Sequence, residues 1–278
     1  MTGSGEPAPA GADRVVAPPA SAAARADDGS PARAGSPARA GSPARAGSPA
    51  RAGGPARAGS TARRRATGAP KPALVVACRW LGRRVAGALF RLEVTGAGHV
   101  PRTGPVLLAG NHTGFVDGPL VFLLAPRRAA LLAKSEIFVG AGSRLFGWLG
   151  LIPVHRGRAD RDALRAGLAV LQAGGALGVF PEGTRGTGAL EKVNDGLAYL
   201  ALRSGARVVP IAVLGTAQAW PRGPRVPRSR TRVRVVFGPP VTVVAQGDPR
   251  SRRTVALAAE QLRVALVAHL RAAQEETS

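Results

Sequence analysis

A histidine and an aspartate stand five residues apart in the segment 111–117, Asn-His-Thr-Gly-Phe-Val-Asp. His112 follows a short apolar run, and Asp117 precedes a second one. This pattern predicts a strand, a tight turn and the start of a helix. An imidazole accepts and returns a proton near neutral pH, and a nearby carboxylate can keep its other nitrogen protonated. If Gly114 permits the turn to bring Asp117 back against His112, the pair can act as a general base.

The same residues have a simpler structural interpretation. His112 can stand at the end of a strand and Asp117 can cap a helix, since aspartate is a favoured N-cap, without the two side chains ever meeting. The segment taken alone leaves both interpretations open.

Four side chains that carry or can accept a proton follow directly after predicted strands: His112, Lys134, Arg156 and Arg185. The carboxyl ends of parallel strands share one edge of a sheet, so these groups are expected to converge there. Guanidinium groups suit phosphate through paired donors, and glycines at 183 and 186 let backbone N–H groups approach an anion. The pattern therefore predicts an anionic substrate beside the base.

Predicted strands and helices alternate along the rest of the chain. Further strands are expected at residues 129–133, 151–154, 177–180, 208–214 and 233–237, and helices at 136–146, 160–171, 196–204 and 252–273. This alternation predicts an α/β fold with a mostly parallel sheet covered by helices.

The first 70 residues differ in composition from the rest. The unit Gly-Ser-Pro-Ala-Arg-Ala recurs through residues 29–52 and then degenerates. Proline and glycine every few residues oppose a helix, and nothing larger than alanine is offered for burial. We therefore expect residues 1–70 to form a disordered basic tail and residues 71–278 to form one folded domain.

A basic amphipathic helix is predicted at residues 74–94. Apolar residues recur there at spacings of three and four, with arginines between them. Such a helix suits a membrane interface, where arginines meet headgroups and the apolar face enters the acyl boundary. It can equally pack on the domain, and the sequence leaves both possibilities open.

Charge and cysteine content restrict the function classes. The formal net charge is +23, carried almost entirely by arginine, which suits nucleic acid, an anionic membrane or acidic small molecules. Aromatic residues at 4% argue against stacking on single-stranded nucleic acid. Cys78 is the only cysteine, so neither a disulfide framework nor a cysteine-based zinc site is expected. The sequence shows no signal-peptide core and no long uncharged apolar run, so neither secretion by that route nor a membrane span is expected.

These motifs resemble those of the glycerolipid acyltransferases, especially the bacterial 1-acyl-glycerol-3-phosphate (lysophosphatidate) acyltransferases. Asn111-His112 with Asp117 is similar to the first sequence block of that family. Residues 180–185, Phe-Pro-Glu-Gly-Thr-Arg, look like the third block, and residues 209–211, Val-Pro-Ile, look like the fourth. Residues 150–156 match the second block more loosely, with His155 where an acidic residue is common. Gly186 stands where a serine is common.

The resemblance implies a glycerol-3-phosphate acyltransferase-like fold with His112 as the catalytic base and Asp117 as its partner. It places the acceptor lysolipid against seven further residues: Asn111, Lys134, Arg156, Glu182, Gly183, Thr184 and Arg185. Lys134 and Arg185 match the positions associated with the acceptor phosphate. Neither a cofactor nor a metal is implied, since His112 and Asp117 offer at most two ligands and the other histidines are scattered.

The expected reaction transfers a fatty acyl group from acyl-CoA or acyl carrier protein to the free hydroxyl of lysophosphatidate, giving phosphatidate. No serine or cysteine nucleophile stands near a strand-end motif, which favours direct transfer. The expected location is the cytoplasmic face of the cell membrane, as a peripheral protein without a specific nucleic-acid partner. Two alternatives stay open: another lysolipid or glycolipid acceptor, and a basic nucleic-acid-binding protein without enzymatic activity.

Overall fold

The carboxyl ends of several parallel strands meet at one edge of a central sheet. The computed structural model describes residues 70–140, 142–155, 160–221, 223 and 226–276. The predicted tail and Arg156 lie outside these residues. The strands of the described part are β1 (Phe90–Thr95), β2 (Val106–Gly110), β3 (Ala129–Lys134), β4 (Leu151–Val154), β5 (Ala176–Val179), β6 (Arg207–Leu214) and β7 (Thr231–Phe237).

The described strands form one sheet in the order β1-β7-β6-β2-β5-β3-β4. Neighbouring strands are parallel except β6 and β7, which are antiparallel. Strands β6, β2, β5, β3 and β4 therefore run in one direction and end at the same edge. The prediction of a mostly parallel α/β sheet is confirmed.

Helices cover both faces of this sheet. They are α1 (Pro72–Leu89), α2 (Asp117–Leu124), α3 (Gly142–Trp148), α4 (Arg161–Gln172), α5 (Asp195–Ser204), α6 (Thr216–Ala219) and α7 (Arg252–Glu275). Leu107 and Ala109 of β2 pack in one core cluster with residues of α4, α5 and α7, whereas Val106 and Leu108 pack in another with residues of α1 and α2. A strand buried on both faces needs a continuous apolar run, which is what β2 has.

The connections that leave β2 and β5 diverge. From β2 the chain passes through α2 to β3, which lies beyond β5, whereas from β5 it passes through α5 to β6, which lies beyond β2. The helices α2 and α5 pack on opposite faces. Such a switch point opens a crevice at the carboxyl ends of the two strands, where α/β proteins bind ligands. His112 follows β2 at this crevice, and Glu182 follows β5.

The helix predicted at 74–94 is too long at its C-terminal end. Helix α1 ends at Leu89, and residues 90–95 form β1, which pairs in parallel with β7 from Phe90 opposite Thr231. The apolar spacing continued through Leu92 only by coincidence. Pairing with a strand 141 positions later, which local periodicity does not reveal, decides the conformation of this segment.

Two of the arginines interleaved along this helix bind carbonyl groups of the protein, although Arg83 stays exposed. Arg79 is buried, and its Nη1 donates to the carbonyl of Arg127 at 2.9 Å, while its Nη2 donates to the carbonyls of Leu123 and Ala125. The Nε of Arg83 donates to the Leu123 carbonyl at 2.6 Å. These side chains satisfy carbonyl groups at the end of α2, which have no partners within that helix. Burial lowers the pKa of Arg79 to about 10.

The helix predicted at 136–146 is also corrected. The chain forms a short 3-10 turn over Ser135–Ile137, and helix α3 begins at Gly142. Gly140 between them has a φ of +55°, a left-handed conformation that interrupts a helix and favours glycine. The other predicted strands and helices agree with the structure to within two residues, among them the helix at 160–171, which is capped by Asp160.

Candidate active site

His112 and Asp117 are in direct contact. The imidazole Nδ1 lies 2.7 Å from Asp117 Oδ2, and the same oxygen accepts the backbone N–H groups of Thr113 at 2.7 Å and Gly114 at 2.8 Å. The turn therefore wraps around a fully buried carboxylate at the first residue of α2. With Nδ1 engaged as a donor, Nε2 is the nitrogen that can accept a proton. The interpretation in which the two side chains never meet is wrong.

The backbone and the ring of His112 are held by the segment that follows β5. The His112 N–H donates to Glu182 Oε1 at 3.0 Å, and the Gly186 N–H donates to the His112 carbonyl at 3.1 Å. The imidazole stacks on Phe180 with a centroid distance of 4.5 Å and an interplanar angle of 27°. The side chain of His112 is 13% exposed, so the imidazole sits in the crevice with its orientation fixed on several sides.

Glu182 carries its carboxylate against this backbone. Burial raises the pKa of Glu182, and the N–H of His112 that donates to it opposes that shift. Asp117 lies close enough for its charge to raise the pKa further. Two carboxylates thus flank one histidine, Asp117 at its ring and Glu182 at its main chain.

The turn after β2 is tightly packed between two other loops, and glycines at the contacts allow the close approach. Gly188 has a φ of +73°, and a Cβ there would lie 2.2 Å from Thr113 Cγ2. A Cβ on Gly114 would lie 2.7 Å from the Thr216 side chain, so this position requires glycine for space. The hydroxyl groups of Thr113 and Thr216 are 3.0 Å apart. The loops after β5 and β6 therefore both press on the turn that carries His112.

Asn111 ties the end of β2 to β6. Its Nδ2 donates to the Val213 carbonyl at 3.0 Å, and its Oδ1 accepts the Val213 N–H at 2.8 Å. The side chain is 2% exposed. Because both ends of the amide are occupied by one backbone unit, the structure supports a positioning role. The substrate contact predicted for Asn111 stays a prediction.

The predicted cations are distributed unequally. The exposed guanidinium of Arg185 lies 5.8 Å from the ring centroid of Phe115, a residue of the turn that carries His112. Thr184 beside it in the sequence is also exposed. Lys134 ends β3, separated from β2 by β5, and its Nζ lies 3.3 Å from Glu136 Oε1. Gly183 donates its N–H to the Phe180 carbonyl. The structure thus brings Arg185 to the histidine turn and places Lys134 further along the same edge.

A second histidine–aspartate pair follows β4. His155 Nδ1 lies 2.9 Å from Asp160 Oδ2, with the same spacing in the sequence as the first pair. The side chain of His155 is 51% exposed, and the second oxygen of Asp160 caps α4. The sequence interpretation missed this pair although the spacing marks it. Spacing alone therefore does not distinguish the two pairs, whereas the greater burial of His112 does.

Other contacts of the site were also missed. Phe180, the platform under the imidazole, directly precedes the Pro-Glu-Gly-Thr-Arg run and could have been found from that position. Thr216 follows β6, so the strand-end rule would have included it. The edge-to-face contact of Phe115 with Trp220, at 5.5 Å between centroids, had no local signal. Within the residues the structure describes, no three His, Cys, Asp or Glu side chains gather as metal ligands.

Known proteins are similar to this chain in sequence and fold. A family model described as Acyltransferase matches residues 91–214. A lyso-ornithine lipid O-acyltransferase of Pseudomonas aeruginosa is 35% identical over 140 residues, which are 48% of this chain and 51% of the relative. A 1-acyl-sn-glycerol-3-phosphate acyltransferase of Borreliella burgdorferi is 30% identical over 146 residues, which are 50% of this chain and 57% of the relative.

The crystal structure of the 1-acyl-sn-glycerophosphate acyltransferase PlsC from Thermotoga maritima has a similar fold. It superposes with a TM-score of 0.55 at 25% sequence identity and covers 78% of this chain and 84% of that one. The chain spans about half the length of the curated relatives it matches. The matched residues contain the His112–Asp117 pair, Glu182 and the switch point between β2 and β5. By this match, residues 91–214 of the chain are similar to the acyltransferase family.

Proposed function

We propose that this protein transfers a fatty acyl group from a thioester, acyl-CoA or acyl carrier protein, to the free hydroxyl of 1-acyl-glycerol-3-phosphate, giving phosphatidate. The observation that carries the proposal is the fixed, buried His112–Asp117 pair at the switch point. Relatives that bear the name 1-acyl-sn-glycerol-3-phosphate acyltransferase support the choice of substrate. The family match favours acyl transfer over nucleic-acid binding as the role of this basic chain.

In the proposed reaction His112 Nε2 takes the proton of the acceptor hydroxyl while that oxygen attacks the thioester carbonyl carbon. The carbon–sulfur bond then breaks, and the proton on Nε2 passes to the departing thiolate. Asp117 keeps Nδ1 protonated and stabilises the imidazolium formed between these steps. A positioned base contributes about 10²–10⁴-fold, so substrate binding and stabilisation of the oxyanion supply the rest. Neither a metal nor a cofactor takes part in the proposed steps.

An apolar groove beside this turn offers a place for an acyl chain. It lies between α1 and α2, has a volume of about 380 Å³ and is lined by residues that include Leu81, Val85, Val116, Leu120 and Trp220. Val116 directly precedes the catalytic aspartate. A chain in this groove would have its carboxyl end near the His112 turn, which is what acyl transfer requires.

We also propose that α1 docks the protein on a membrane from the cytoplasmic side. Within the described residues, no helix is long and apolar enough to cross a bilayer. Four apolar side chains of α1 are nevertheless strongly exposed: Val76, Trp80, Leu81 and Val85. Arg84 lies 5.2 Å from the Trp80 ring, so a cation accompanies the apolar face. A lipid acceptor in a bilayer and an apolar, basic helix beside the base are complementary.

The double variant Trp80→Glu and Leu81→Glu should release the protein from anionic vesicles. Both side chains are more than half exposed, so the change places charge on the docking face without opening a core cavity. Co-sedimentation of the full chain measures this. The matched control is Leu257→Glu with Val264→Glu on α7, which packs on the opposite face of the sheet. Equal vesicle binding by both double variants would show that α1 is not the docking helix.

Arg185→Lys should raise the acceptor KM by about tenfold while the donor KM changes little. Lysine keeps the charge but loses the paired N–H donors that suit a phosphate, so binding of the acceptor is weakened. Steady-state kinetics with each substrate varied in turn measure the effect, with Arg263→Lys on α7 as the control. A rise confined to the donor KM would contradict our proposal that Arg185, together with Lys134 and Arg156, serves the acceptor phosphate.

The acceptor itself is tested by offering the purified full chain a mixture of lysolipids with acyl-CoA. Mass spectrometry of the products should show phosphatidate as the main new lipid. The second candidate is a lyso-ornithine lipid acceptor, which is favoured by the relative of that name at 35% identity. Dominant acylation of an acceptor without a phosphate would select this second candidate.

A further inference from the structure

Glu182 reaches the main chain of a residue 70 positions away. Its Oε1 accepts the His112 N–H at 3.0 Å, while Gly186 of the same loop donates to the His112 carbonyl. Both polar backbone groups of His112 are thus bound by one loop. A hydrogen bond from an N–H group to a carboxylate is assisted by charge and is about twice as strong as a neutral one.

The direction of the carboxylate argues against an acceptor contact. Burial is the largest influence on the pKa of Glu182 and raises it. The N–H of His112 donates to Oε1 of the carboxylate at 3.0 Å, and this donor belongs to the protein itself. A carboxylate that instead faced the acceptor phosphate would meet a like charge, which weakens binding.

We propose that Glu182 is a positioning residue that holds the backbone of His112, and that it does not bind the acceptor. This inference rests on the proposed acyl transfer only for its kinetic part. The two hydrogen bonds to the His112 main chain hold the turn in one position. The imidazole can therefore stack on Phe180 and contact Asp117 at the same time. A displacement of about 1 Å at a catalytic group can cost about 10²-fold in rate, so a loosened backbone is expected to reduce turnover and leave acceptor affinity intact.

The kinetic test compares Glu182→Ala with Glu182→Gln. Alanine removes the acceptor of the His112 N–H, and kcat should fall by about 10²-fold with the acceptor KM within about twofold of the parent. Glutamine keeps an oxygen for the same N–H and should recover most of the turnover. Glu191→Gln, an exposed position further along the same loop, is the matched control. An acceptor KM raised about tenfold at unchanged kcat in both Glu182 variants would overturn the proposal.

A spectroscopic test does not depend on activity. The chain has four histidines, so selective ¹⁵N-histidine labelling gives four backbone amide signals, and the signal lost in His112→Gln identifies His112. In Glu182→Ala the His112 amide proton should move upfield and exchange faster with solvent, while the signals of His99 and His269 keep their positions. A His112 signal that is unchanged in Glu182→Ala would refute the contact.

The two tests separate the failure of this inference from the failure of the proposed function. If the parent protein acylates a lysolipid other than lysophosphatidate, the kinetics of the Glu182 variants are measured with that acceptor, and they still decide whether the inference is correct. If the protein transfers no acyl group at all, the amide signal of His112 still decides whether Glu182 holds its backbone.

Discussion

The His112→Ala variant should lose about 10²–10⁴-fold in kcat, the contribution of a positioned general base. Alanine removes the imidazole that takes the hydroxyl proton. It keeps the backbone N–H and carbonyl that bind Glu182 and Gly186, so the surrounding loops should hold. Turnover at saturating acceptor and donor measures the loss, and thermal unfolding and binding of lysophosphatidate verify that the variant is folded.

The second histidine–aspartate pair offers a control for this prediction. His155 has the same spacing to its aspartate, but its side chain is 51% exposed and follows the edge strand β4. We expect His155→Ala to stay within a few-fold of the parent turnover. A well-folded His112→Ala variant that retains substantial activity would refute His112 as the base, and a large loss in His155→Ala alone would transfer that role to the second pair.

Asp117→Asn should reduce kcat by about 10²-fold or more, and Asp117→Ala should in addition destabilise the fold. Three donors point at Oδ2, whereas Oδ1 is buried and has no hydrogen-bond partner. The amide oxygen of asparagine should occupy the Oδ2 position and keep all three hydrogen bonds. The flipped amide is disfavoured, because its NH₂ group would then face the N–H groups of Thr113 and Gly114. The imidazolium then lacks a negative partner, so turnover falls although the ring stays in place.

Stability distinguishes the two substitutions. Each buried N–H left without an acceptor costs about 1–3 kcal/mol, so Asp117→Ala, which strands several donors, should lower the free energy of unfolding much more than Asp117→Asn. Chemical denaturation of both variants measures this, with Asp160→Asn in the second histidine–aspartate pair as the control. Equal destabilisation by asparagine and alanine would show that the amide oxygen does not replace Oδ2. Full activity of Asp117→Asn would show that the charge of Asp117 is not needed.

Local pattern was sufficient for much of this protein. The apolar run of β2 and the turn residues of 111–117 lie within one short stretch, so strand, turn and helix start were predicted correctly, whereas the contact of His112 with Asp117 was left open and was decided by the structure. Alternating strand and helix signals predicted the parallel sheet and its shared edge, because a parallel connection requires a crossover. The Phe-Pro-Glu-Gly-Thr-Arg run after β5 marked a second segment at that edge.

The order of the strands was decided only by the tertiary structure. Asn111 binds Val213 across 102 positions, and Glu182 binds His112 across 70 positions. These pairs depend on β2 lying between β6 and β5, and side-chain periodicity does not encode which strands become neighbours. Asn111 and Glu182 bind the backbone of Val213 and His112, which the sequence did not predict, and their predicted contacts with substrate stay predictions.

The first helix shows the same division. Its spacing and composition determined that residues near 74–89 would form a basic, apolar helix. Which of its arginines is buried was decided by the packing of the end of α2, whose carbonyl groups bind both Arg79 and Arg83 but bury only Arg79. The strand pairing of β1 with β7 likewise overrode a helical pattern that ran on to Leu92. Local periodicity sets which faces are apolar, whereas long-range pairing and burial decide what each face meets.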